Sequence, residues 1–203
     1  MNTYTITKVS GAPDWSAIPT LEMAHAHRDR VEGIRAFTQV AYNDEALLIH
    51  QRAIEQNLRS EEVGPLAAPC KDSCLEFFFC PVEGNERYFN IECNPSCNMY
   101  VGTGAHIGDL FRLIPNGVDW DEIFGCRSQR TDDGWELYYE IPYSFIRKFF
   151  PDFDPAPGKA IRANCYKCGD LTVAPHWLAW CPIVTREQLS FHWPRDFGRM
   201  IFG

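Results

Sequence analysis

The chemically loaded side chains of this chain fall on three stretches. In Asp72 to Asn94, DSCLEFFFCPVEGNERYFNIECN, two carboxylates, Glu76 and Glu92, and the amide of Asn90 take alternate positions. In Lys159 to Cys168, KAIRANCYKC, the alternate positions hold Arg162, Asn164 and Tyr166. In His176 to Pro182, HWLAWCP, Trp177 and Trp180 stand three apart. An ionised carboxylate accepts short, charge-assisted hydrogen bonds. A guanidinium offers a planar fork of donors, and an asparagine both donates and accepts. Such a set suits a ligand rich in hydroxyls. Two carboxylates about 5 to 10 Å apart are also the acid and base of a glycoside hydrolase. The structural alternative is that Glu76 and Glu92 form ion pairs with Arg162, Arg87 or Lys167.

The elements that must position these groups are strands. Successive side chains of a strand face opposite ways. Leu75, Phe77 and Phe79 therefore share one face with Ile91 and Cys93, while Glu76, Asn90 and Glu92 share the other. The turn at Glu83–Glu86 makes a hairpin of the pair. Arg162, Asn164 and Tyr166 repeat that polar face on a later strand, opposite Ile161, Ala163 and Cys165. On a strand only one of Trp177 and Trp180 faces inward, and Trp177 is favoured for a ligand. Further strands are expected at Thr3–Val9, Phe37–Tyr42, Ala46–Ile54, Cys97–Val101, Ile123–Arg130, Trp135–Ile141 and Gly198–Phe202. The turn signal Thr131-Asp-Asp-Gly134 joins the fifth of these to the sixth. One short helix is expected from Pro142 to Phe150, with an apolar stripe of Phe145, Ile146 and Phe149. Many short strands, one helix and no internal repeat predict an all-β protein. The expected form is a β-sandwich of two antiparallel sheets, immunoglobulin- or jelly-roll-like, with residues 1–203 as one domain.

Composition narrows the partners. The formal charge of -8 argues against nucleic acid, which needs clustered Lys and Arg. No apolar run approaches the roughly 20 residues that span a bilayer, so no membrane partner is expected. No signal segment is visible, and the nine cysteines read mostly as free buried thiols. Both features lead to an expected cytoplasmic location, or a secreted one if a signal has been removed. Cys165 and Cys168 face opposite sides of a strand and have no second CxxC to complete a zinc site. His25 and His27 read as a polar loop.

The ordered series DSCLEFFFCP, RYFNIECNP, GWELYYEIP, the G-x-x-IRANCYKCGD stretch, HWLAWCP and FHWPRDFGRMIF resembles the family 9 carbohydrate-binding modules and their free-standing bacterial relatives. The likeness covers the chain from Phe37 onward. It implies a β-sandwich that binds saccharides without cleaving them, through a polar sheet face flanked by tryptophan. Glu76, Asn90, Glu92, Arg162, Asn164, Tyr166, Trp177 and Trp180 are the residues it would engage. The partner expected is a small saccharide or the end of a glycan. In that family two tryptophans clamp a sugar, the first shortly before the strand bearing the acid. Here that loop, GPLAAPCKDS, has no aromatic residue. Calcium also occurs in the fold, and Asp72 and Asp170 are its candidate ligands here, without a recognisable calcium loop. The alternatives are a hydrolase using the paired glutamates, or a sandwich that holds a protein or a haem-like cofactor, with Met99 and His50 as the available axial ligands.

Overall fold

The computed structural model describes residues 1–184 and 190–203. Its strands in chain order are β1 (Thr3–Lys8), β2 (Leu21–Glu22), β3 (His25–Ala26), β4 (Arg35–Tyr42), β5 (Ala46–Ile54), β6 (Cys74–Cys80), β7 (Tyr88–Cys93), β8 (Met99–Gly104) and β9 (Phe111–Arg112). The helix α1 (Trp120–Phe124) follows, then β10 (Arg127–Thr131), β11 (Gly134–Pro142), α2 (Tyr143–Phe149), β12 (Ala160–Cys168), β13 (Trp177–Ala179) and β14 (Gly198–Phe202).

The strands form a β-sandwich. One layer runs β14-β12-β6-β7-β8-β9 and the other β10-β11-β5-β4. β1 joins them, pairing with β14 through Thr3–Ile6 and with β4 through Thr7–Lys8. Both of its pairings are parallel, whereas the other neighbours are antiparallel. Between the layers lie Val40, Ile49 and Leu137 from one side and Leu75, Phe77, Phe79, Ile91, Ile161 and Cys165 from the other, all essentially buried. Removing that apolar surface from water is the main favourable term of folding. α2 closes one end, with Phe145 and Phe150 each 5.1 Å from the ring of Phe89. Phe149, expected in the apolar stripe, meets Phe89 edge-on and stays partly exposed.

Two expectations change. There is a second helix, because Ile123 and Phe124 belong to α1 and not to the following strand. Gly125 ends α1 at φ 56°, the left-handed cap that stops a helix, and β10 starts only at Arg127. The hairpin β6–β7 also has no solvated face: every residue of both strands is buried.

Candidate functional site

Register assembles the polar face. Glu76 stands directly across from Glu92, and Phe78 from Asn90. On the other side of β6, Tyr166 faces Glu76, Asn164 faces Phe78 and Arg162 faces Cys80. Six of the expected residues thus share one face of three adjacent strands. β13 adds Trp177 beside Cys168. Trp180 is a correction: it lies in the core with Leu178 and Cys181 on the opposite side. The main chain of β13 alternates, and Trp177 took the outward position.

The C-terminal segment then covers half of this face. Phe191 stacks on Tyr166 at 4.1 Å, and His192 sits 5.1 Å from Phe78. Tyr166 donates its hydroxyl to Phe191 O at 3.0 Å. Asn164 donates to Cys181 O at 3.2 Å and accepts from Cys181 N at 2.9 Å. Arg162 donates to Pro194 O. These three side chains are therefore engaged with main chain and do not border the open part of the face. They were expected to meet a ligand; instead Arg162 and Tyr166 hold the covering segment down, and Asn164 ties the main chain of Cys181 to the sheet. Asn90 is fully buried too, donating to Glu92 Oε1 at 2.9 Å while its own carbonyl oxygen has no hydrogen-bond partner among the described residues. A Cβ at Gly102, opposite Asn90 on β8, would collide with that oxygen and with the Tyr100 ring.

What remains open is a cavity of about 310 Å³, near the lower end of the range of small-molecule sites. Glu76 and Glu92 form its floor with Cys168. Asp170 and Trp177 form one wall; Cys70, Ile107 and His192 border it from separate loops. The indole of Trp177 is oriented by its Nε1, which donates to Asp170 Oδ1 at 2.7 Å, and by Arg28 over its ring at 4.9 Å. His192 is fixed by the Tyr88 hydroxyl, 2.7 Å from Nδ1, and burial pushes its pKa down to about 4.

The floor is acidic, and among the described residues no cation touches it. Among the described residues neither Glu76 nor Glu92 forms a salt bridge, so Arg87, Arg162 and Lys167 are not their partners. Burial, then the charge of Glu92, pushes Glu76 well above the usual carboxyl range. Burial raises Glu92 to about 7, opposed by Arg112 and reinforced by Asp170. Desolvation disfavours the ionised form of any acid without a salt bridge, so the pair resists carrying two charges.

Other expectations resolve by placement. Asp72 accepts from the backbone N–H of Glu61 and Glu62 at 3.0 and 2.9 Å, from Asn94 at 2.9 Å and from Arg59. It anchors a loop and has no capacity left for calcium, a hard ion that needs six to eight oxygens. Asp170 accepts from the Trp177 indole and belongs to no cluster of three possible metal donors among the described residues, so no calcium donor set gathers around it. Met99 lies in the core, while His50 bonds Gln39 and Glu136 on the other layer, so the two share no cofactor site. His25 is exposed and His27 buried near Phe191. Sequence reasoning missed Cys168 at the floor, although it continues the series 162, 164, 166 by two. Cys70, Ile107 and His192 arrive from distant loops and carry no periodic signal.

A sandwich whose one layer presents a walled, acid-floored cavity beside an oriented indole is the architecture of a ligand-binding β-module. The chain belongs to carbohydrate-binding family 9, whose profile matches residues 33–202. It is similar over 99% of its length to 99% of a candidate carbohydrate-binding protein from Bacteroides uniformis ATCC 8492, at 26% identity and a TM-score of 0.80. It also shares its fold with a family 9 module from Caldicellulosiruptor kristjanssonii. The glucose complex of that module matches at 11% identity and a TM-score of 0.67, covering 100% of this chain and 96% of the module. Its cellotriose complex matches at 12% and 0.67, covering 99% and 93%. No curated protein matches the chain.

Proposed function

We propose that this chain binds a saccharide without cleaving it, taking one sugar unit or a glycan end in the Glu76–Glu92 cavity. The observation that carries the reading is the directly paired, buried carboxylates, without a salt bridge among the described residues, at the floor of an open cavity. Neighbouring sugar hydroxyls are donors that two adjacent carboxylates can share, and hydrogen bonds to charged groups are the strong ones. Trp177 offers an apolar ring for the C–H face of a pyranose. The family membership and the sugar complexes of the similar module support the same class of ligand. The loop before β6 contributes Cys70 where the family resemblance leads one to expect an aromatic residue, so stacking here is one-sided and affinity modest.

Hydrolysis by the same pair is the second reading, favoured only by the raised pKa values of both acids. Both rise from the same strand pair on one side of the cavity, whereas a hydrolase flanks the scissile bond. Calorimetric or NMR titration against mono- and oligosaccharides is the test, run beside a panel of chromogenic glycosides. Binding without turnover, weakened by Glu92→Gln and Trp177→Ala, is expected. Silence toward every sugar at millimolar concentration overturns the proposal.

A further inference from the structure

The floor of the cavity holds two thiols that the proposed saccharide binding leaves unused, beside the Glu76 carboxylate that it would engage. Cys74 and Glu76 alternate on β6 and share a face, and Cys168 stands directly across from Cys74 on β12. One ligand atom from each of the three lies within 4.8 Å of the others. The Cys168 thiol is 2.8 Å from Glu76 Oε1. All three residues are at most 2% exposed. Their remaining contacts are weak: Cys74 Sγ reaches Leu75 O at 3.8 Å and Cys168 Sγ reaches Cys70 O at 3.7 Å. Among the described residues no Lys, Arg or His nitrogen lies within 4.0 Å of the Glu76 carboxylate. Glu76 and Cys168 both open onto the cavity.

We infer that Cys74, Cys168 and Glu76 form a site for one thiophilic divalent cation of the zinc class, with its fourth position facing the cavity. Two sulfurs and one carboxylate oxygen with an open place match the donor preference of zinc and not that of calcium. Bonds of about 2.3 Å to sulfur and 2.0–2.2 Å to oxygen would gather the donors around one ion. Binding releases both thiol protons to solvent, since the thiolate is the ligand. The ion supplies the positive charge that this buried acid otherwise lacks. The inference does not depend on saccharide binding, because its readout uses metal alone.

The test is to titrate the reduced, chelator-stripped chain with Co²⁺ and then displace it with Zn²⁺. One equivalent should produce a thiolate-to-cobalt charge-transfer band with the ligand-field bands of a tetrahedral ion. Cys74→Ser and Cys168→Ser should each weaken binding by about 100-fold or more, beyond what losing a supporting group costs. Glu76→Gln should shift the ligand-field bands. The cluster of Cys93, Cys97 and Cys126, in which the first and last thiols lie 3.7 Å apart, is the internal control, and Cys126→Ser should change nothing. No stoichiometric band in the wild-type chain overturns the inference, whatever the variants do. So does a band that survives both Cys74→Ser and Cys168→Ser, or one that Cys126→Ser abolishes.

Discussion

Lys167 and Cys168 are neighbours on β12, yet they belong to two buried polar clusters with opposite fates. On the core side, the Lys167 ammonium lies 3.0 Å from Glu55 and 2.7 Å from His176 Nε2. His176 Nδ1 sits 2.8 Å from Ala174 O, so Nδ1 donates and Nε2 accepts from the lysine. Burial and the adjacent ammonium hold its pKa at about 4. Cation, anion and neutral base are in mutual contact there, between the layers. On the other side, Cys168 meets Glu76, with Glu92 and Asp170 nearby and no ion pair among the described residues. A buried charge is paired or is expensive. Where the pairing is complete the cluster holds the sandwich together. Where it is incomplete the cluster borders a cavity, and burial is relieved by raising the pKa of its acids.

The sharpest way to break the contrast is Lys167→Met. It keeps most of the buried stem but strands Glu55, and should cost about 3–5 kcal/mol of stability. Chemical denaturation measures it, and a loss under about 1 kcal/mol would mean that the pairing does little for the layers.

Glu92→Gln should act in the opposite direction. The carboxyl is raised from 4.5 to about 7 in the folded chain. Its contribution to stability is therefore present below the unfolded value and lost as pH rises through the folded one. The variant should gain on the order of 2 kcal/mol relative to wild type at pH 8 and little at pH 4. Saccharide affinity should fall at the same time. A variant that is less stable than wild type at pH 8 would show that Glu92 is compensated after all.

Trp177→Ala should reduce saccharide affinity roughly tenfold, as the loss of a stacking ring does, with a small effect on stability because the side chain is only half-buried. The smallest effect on binding belongs to Trp180→Phe. That residue lies in the core, so the substitution should lower the melting temperature and leave the titration curve unchanged. A parallel loss of binding would move Trp180 back toward the site.

Much of this contrast was legible beforehand. The alternation in CLEFFFC, YFNIEC and AIRANCYKC placed Glu76, Asn90, Glu92, Arg162, Asn164 and Tyr166 on one side, and pairing in register kept them there. The same alternation said that Trp177 and Trp180 diverge. It did not reveal that Phe191 and His192 return to cover Tyr166 and Phe78, because that contact joins residues far apart in sequence. Nor did it separate Ile123 and Phe124 from the strand that follows, since a short apolar run suits either a strand or a single helical turn.

The sequence by itself determined which side chains share a face, because that follows from the two-residue period of an extended backbone. The family likewise lies in the ordered strands. Only the tertiary structure decided that Arg162 and Tyr166 are consumed by a covering segment and Asn164 by the main chain of Cys181, while Glu76 and Glu92 stay open beside Trp177. The reason is physical: facing is a local property of the strand, whereas access depends on which distant segment arrives to satisfy the polar groups first.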